Sequence, residues 1–145
     1  MEESINFFFE AEPFNLRQRN LIREWIILVA SGYEVQAGVI NFIFIDDKGL
    51  CKINRKYLKN NTLTDIISFS YSEEVSIIRG DIYISTERVR ENAKFFKVSF
   101  INELHRVMIH GILHLLGMND GTEAEKERMH EKENEYLVLL EGLID

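Results

Sequence analysis

One run constrains this chain more than any other: FINELHRVMIHGILHLLG, Phe100 to Gly117. Leu104, Val107, Met108, Ile112 and Leu115 spread apolar side chains around much of a helical circumference, and a helix apolar on most sides is buried in its own protein. Ser99 stands where an N-cap belongs, and Gly117 where a helix ends in the left-handed conformation. At 145 residues the chain is long enough for one core, so residues 1–145 are expected to form a single domain around this helix.

The same helix carries His110 and His114. Positions i and i+4 lie one turn apart on one face, so the two rings can aim at one point. The glycine then reverses the chain, and Asp120, three residues further on, can return a carboxylate to that point. The pattern H-x-x-x-H-x-x-G-x-x-D thus offers two nitrogens and one oxygen, and three protein ligands with a fourth position open is the arrangement of catalytic zinc. An imidazole pair in apolar surroundings costs desolvation free energy, which a cation relieves. The alternative for Asp120 is an ordinary turn residue, because N-D-G is a turn signal. His105 lies about 140° off the ligand face and reads as structural or solvent-facing; His130, in a charged helix, reads as surface. Glu103, seven residues before His110, returns to the same face and reads either as a hydrogen-bond partner of a ligand or as a solvated first-turn acid.

Around that helix the periodicity predicts an α+β domain. INFFFE (Ile5–Glu10), VINFIFID, TDIISFSY and GDIYIS read as strands. Asn15 is placed to cap a helix running to about Ala30 with Ile22, Trp25, Ile26 and Val29 inside. A helix near Lys48–Lys59 should turn Leu50, Ile53, Tyr57 and Leu58 inward. SEEVSIIR reads as a polar connection, Ser85 or Thr86 as the start of a short basic helix to about Phe96, and Thr122 with Glu125 as a capping box opening the last helix. About four strands and about five helices follow, with helical crossovers favouring parallel pairing of the first three strands and an antiparallel fourth.

Charge and cysteine content narrow the setting. The net charge of −7 argues against a nucleic-acid partner until its distribution is considered. Residues 1–12 carry four acids and no bases, residues 119–145 nine acids and three bases, and residues 13–118 fourteen bases against eleven acids. The body can therefore present a basic face. The one cysteine, Cys51, allows no intrachain disulfide and points to a reducing compartment. The opening MEESINFFFE lacks a secretion signal's basic flank, and no apolar run approaches the roughly 18 residues of a membrane span. A cytoplasmic protein with no membrane partner is expected.

The residue after His110 bears on the reaction. Peptidases of the H-E-x-x-H type place a general-base glutamate there; here it is Gly111. That position admits close approach of substrate or backbone, or close helix packing. A metal can still acidify water and polarise a phosphoryl oxygen. KINRKYLKNNTLTD adds Lys52, Arg55, Lys56 and Lys59, with Tyr57 and the amides Asn54, Asn60 and Asn61. Cations draw phosphates and an aromatic ring stacks on an unpaired base; a solvated helix face is the alternative.

HGILHLLGMND resembles the H-G-x-L-H-L-x-G-Y-D-H signature of the YbeY family of bacterial metal-dependent endoribonucleases. INRKYLKNNTLTDIISF resembles that family's N-x-x-Y/F-R…P-T-D/N-V-L-S-F segment, and GDIYIS its G-D-I-x-I strand. The likeness implies a mixed-sheet α+β fold distantly similar to zinc peptidases. It implies single-strand-specific RNA cleavage in 16S ribosomal RNA 3′ maturation and ribosome quality control, with the ribosome or its proteins as partners. The metal implied is zinc, other divalent ions being possible, on His110, His114 and Asp120, which are then also the catalytic residues. Arg55, Lys59 and Asp65 are the substrate-binding residues that the resemblance implies. Two positions depart from the pattern: Asp120 replaces the usual third histidine, and Leu58 the arginine that follows Tyr57. A zinc metallopeptidase of H-x-x-x-H-x-x-G-x-x-D type, an iron oxygenase built on two histidines and a carboxylate, and a non-catalytic ribosome-assembly factor with a structural metal are the rival readings.

Overall fold

The computed structural model describes residues 4–57 and 64–144. Strands β1 (Ser4–Phe9), β2 (Gln36–Ile45), β3 (Ile66–Ser70) and β4 (Ile77–Ser85) form one sheet in the order β1-β2-β4-β3. The helices among the described residues are α1 (Arg19–Gly32), α2 (Asp47–Tyr57), α3 (Thr86–Phe96), α4 (Phe100–Leu115) and α5 (Glu123–Ile144). The α+β class with a mostly parallel sheet and one antiparallel edge strand is as expected.

The strand order departs from expectation. β1 and β2 are parallel, and so are β2 and β4, whereas β3 is the antiparallel edge and β4 sits between it and β2. The connection from Tyr71 to Ser76 is too short for a crossover, so β3 and β4 can only form a hairpin. Burial decides which of them is central. β4 buries Ile77, Ile78, Gly80, Ile82, Ile84 and Ser85, while β3 buries only Ile67. Ile78, Gly80, Ile82 and Ile84 give β4 one continuous buried face, longer than that of β3, while its other face carries Arg79, Asp81 and Tyr83. For the same reason Ile77 and Ile78, assigned in sequence to a polar connection, open β4 instead.

Two helices also differ from their sequence reading. α1 begins at Arg19, with Gln18 at its N-cap in the left-handed conformation (φ 59°) and no side-chain cap. Asn15 is therefore not the cap. Leu16 is buried, and Phe14 packs edge-on against Phe9, Phe44 and Phe100 at 5.2–5.4 Å. That aromatic cluster holds the segment out of the helix. In α2, Leu50 is inside as expected, but Asn54 is buried in place of Tyr57, which is 59% exposed; Leu58 lies outside the described residues.

α4 is the buried helix that its composition demands. Ser99 Oγ accepts from the Asn102 N–H at 3.0 Å, capping its start. Leu104, Met108, Ile109, Ile112 and Leu113 are fully enclosed. Gly111 faces the sheet, where an added Cβ would stand 2.9 Å from both Ile66 Cδ1 and Ile82 Cγ2. Close helix packing is thus the use of this glycine, and it brings α4 directly onto β3 and β4. α5 closes over the other side, anchored where Trp25 Nε1 donates to the Tyr136 carbonyl at 2.8 Å.

Candidate metal centre

α4 and the turn after it assemble the cluster foreseen from spacing. Gly117 adopts φ +96°, a region glycine enters without cost, and the Met118 N–H closes back on the Leu113 carbonyl at 3.0 Å. The reversed chain brings Asp120 to the histidines. Thr122 and Glu125 then exchange bonds of 2.9 and 3.1 Å, the capping box that starts α5.

His110 Nε2 and His114 Nε2 lie 3.0 Å apart, and Asp120 Oδ2 lies 3.3 Å from the first and 3.4 Å from the second. A tetrahedral ion bonded to nitrogen at roughly 2.0–2.1 Å holds its ligand atoms about 3.3–3.4 Å apart. The three ligand atoms therefore already stand close to the edges of a coordination tetrahedron.

The remote ring nitrogens say which lone pairs face inward. His114 Nδ1 is 3.0 Å from the Met118 carbonyl oxygen, which can only accept, so the proton is on Nδ1 and Nε2 is bare in the neutral ring. His110 Nδ1 is 2.6 Å from Glu133 Oε2, and the same tautomer follows. Two lone pairs and a carboxylate oxygen thus converge with no donor among them. Such a set needs a cation or an added proton. Burial pulls the His110 imidazole down, but the bond to Glu133 and the charges of Glu133, Asp120 and Asp65 outweigh it and leave the ring easier to protonate than usual. Among the described residues this is the one group of three or more His, Cys, Asp or Glu side chains whose ligand atoms converge.

The partner of His110 is Glu133 and not Glu103, for which the sequence left open a ligand's partner or a solvated first-turn acid. The second oxygen of Glu133 accepts from Arg106 Nη1 at 3.1 Å, and Arg106 Nη2 reaches Asn134 Oδ1 at 2.8 Å. A signal for Glu133 was present: Met129, Glu133, Leu137 and Leu140 form the buried stripe of α5, and an acid on an apolar stripe demands a partner. Arg106, one turn before His110, shares its face.

A cavity of about 320 Å³ adjoins His110, bounded by residues of α3, α4 and α5 and by Asp65 at the entrance to β3. Asp65, expected to bind substrate, lines this cavity; its Oδ2 is 3.4 Å from Asn92 Nδ2, and burial raises its carboxyl. Arg55 is exposed on α2 with its guanidinium 3.6 Å from Cys51 Sγ, and it does not line this cavity. Lys59 lies outside the described residues. His105 is structural as expected: buried, edge-on to Trp25 at 6.2 Å, and pushed down by burial to about 4, hence neutral. His130 is on the surface, 3.8 Å from Glu133.

Fold and cluster together define an α+β protein whose central helix and following turn present a His-His-Asp cluster that could hold a metal ion, beside a cavity of mixed lining. Residues 6–141 match the family described as Endoribonuclease YbeY. A protein of that name from Amoebophilus asiaticus is 47% identical over 135 residues, covering 93% of this chain and 92% of the relative. Another from Flavobacterium psychrophilum is 48% identical over 135 residues, 93% of this chain and 95% of the relative. A solution structure from Thermotoga maritima superposes with a TM-score of 0.62 at 27% identity, covering 95% of this chain and 89% of that one. The chain belongs to the YbeY family.

Proposed function

We propose that the protein is a metal-dependent, single-strand-specific endoribonuclease whose ion is held by His110, His114 and Asp120. Two imidazoles and a carboxylate suit zinc first, with other divalent ions competing because the carboxylate is a harder ligand than a third imidazole. The observation that carries the reading is the convergence of three acceptor atoms at 3.0–3.4 Å with both remote ring nitrogens already tied. When bound, such an ion polarises a phosphoryl oxygen and acidifies water.

The chain's own residues set the conditions. Glu133 and the Met118 carbonyl hold the two rings in one tautomer and orientation. Asp120 brings a negative charge that tempers the ion's pull on water. Gly111 supplies no base where H-E-x-x-H peptidases keep one, and any side chain there would run into Ile66 and Ile82; this weighs against peptide hydrolysis. Lys52, Arg55 and Lys56 are exposed on α2, where cations can meet phosphates. With Lys59 and Asp65 they form the proposed substrate-binding set. The family likeness extends the reading to ribosomal RNA maturation in the cytoplasm, with the ribosome or its proteins as partners. No helix among the described residues is long and apolar enough to cross a membrane.

Elemental analysis of the purified protein beside His110→Ala, followed by incubation with single-stranded RNA with and without chelator, tests the proposal. Expected are a bound divalent metal that the variant loses and cleavage that the chelator abolishes. Metal-loaded protein that leaves single-stranded RNA intact at low salt would overturn it.

A further inference from the structure

The cavity beside His110 has a mixed lining: apolar Phe96, Val98 and Val107 beside polar Asp65, Asn102 and Glu103, with Glu103 and Val107 one turn apart on one face of α4. Glu103 is only 4% exposed, and among the described residues its carboxylate has no hydrogen bond and no ion pair. Arg106, the nearby cation, is already spent on Glu133 and Asn134. Burial pushes the Glu103 carboxyl up to about 7. With no donor on it among the described residues, this carboxylate is left to accept from whatever occupies the cavity, which marks a place where a ligand's donors belong.

We propose that this cavity is a base pocket that takes an unpaired guanine of the RNA, with Glu103 accepting from the adjacent ring and exocyclic N–H groups of its pairing edge. The proposal rests on the RNA-cleaving reading above. A phosphate is disfavoured by charge, since it would face Asp65, Glu103 and Glu133 while Arg106 is held by Glu133 and Asn134, leaving only His110 and His130 to oppose them. A second metal ion finds no converging set there, because only His110, His114 and Asp120 bring ligand atoms within 4.8 Å of one another among the described residues. A simple alkylamine would leave the apolar side chains without a partner. A base meets both the apolar and the polar groups. Its flat faces suit Phe96 and the two valines, as single-stranded RNA readers stack bases on aromatic rings.

Among the four bases only guanine places two neighbouring donors on its pairing edge, the pair that one carboxylate accepts side by side. The Asn102 amide, also in the lining, can meet the carbonyl beside them. The volume of about 320 Å³ is at the lower end of small-ligand pockets, roughly 300–1,000 Å³. Because His110 lines the cavity, the base held there belongs to a nucleotide adjoining the bond that is cut.

Two measurements test this. The first maps cut sites in a random-sequence single-stranded RNA pool for the wild type and for Glu103→Gln. Guanine should be enriched beside the cut by about tenfold, the discrimination of one bidentate contact, and should fall to near parity in the variant. The second follows the Asn102, Glu103 and Val107 amide resonances of the wild-type protein during titration with guanosine or inosine monophosphate. Inosine lacks the exocyclic amine, so guanosine monophosphate should act at about tenfold lower concentration. Cleavage without base preference, or equal response to the two nucleotides, overturns the pocket and leaves the nuclease reading standing. Selective guanosine monophosphate binding by a protein that cuts no RNA supports the pocket and removes the nuclease reading.

Discussion

Glu133 Oε2 and His110 Nδ1 meet at 2.6 Å across the packing of α5 on α4. The two residues are separated by 23 positions, and neither helix alone could bring them together. An ionised acid on the remote nitrogen raises the basicity of Nε2 and locks the ring. Replacing Glu133 with Gln keeps the size and one acceptor but removes the charge. Metal affinity, read by competition with a fluorescent chelator, should weaken by about 10–100-fold. Unchanged affinity in a folded variant would show that Glu133 does not support the ligand.

Gly111→Ala tests the approach of α4 to the sheet. The new methyl would stand 2.9 Å from Ile66 and Ile82, side chains in the interior. Alanine's better helix propensity offsets less than the overpacking costs, so the expected loss is about 1–3 kcal/mol in denaturant unfolding. A variant as stable as the wild type would mean that the two isoleucines yield freely.

Glu103 and His105 predict opposing pH dependences. Burial raises Glu103 from 4.5 to about 7, so between those values the folded state holds more protons than the unfolded one and stability falls as pH rises. Burial lowers His105 from 6.5 to about 4, so between those values the unfolded state holds more protons and stability rises with pH. Each effect is at most about 3 kcal/mol, and over their shared window they oppose one another. Relative to wild type, Glu103→Gln should gain stability progressively from pH 4.5 to 7. His105→Leu should lose its relative advantage as pH rises from 4 to 6.5. Urea unfolding at several pH values reads both slopes; parallel curves for all three proteins would contradict the pair.

Thr122→Ala removes one half of the capping box that launches α5 two residues after Asp120. The expected cost is about 1 kcal/mol of stability. Amide hydrogen exchange should quicken at the first turn of α5 and not at its buried end near Leu140. Uniform acceleration would mean that the cap acts on the whole helix.

What the sequence determined by itself lies within reach of a few residues. The Ser99 and Thr122 caps, the left-handed Gly117, the shared face of His110 and His114 and the return of Asp120 all follow from helix pitch and turn chemistry, and all are found. The tertiary structure decided what depends on partners distant in the chain. Asn15 had the chemistry of a cap, but the aromatic cluster around Phe14 claimed its segment. β4 took the centre of the sheet because its long buried face, Ile78 to Ile84, had to be packed along its whole length. Glu103 read equally as a ligand's partner or a solvated helix acid, and only the packing of α5 on α4 gave Glu133 to His110 and left Glu103 facing a cavity. Periodicity reports which side of an element is buried; which atoms it is buried against is set by long-range packing that no local pattern encodes.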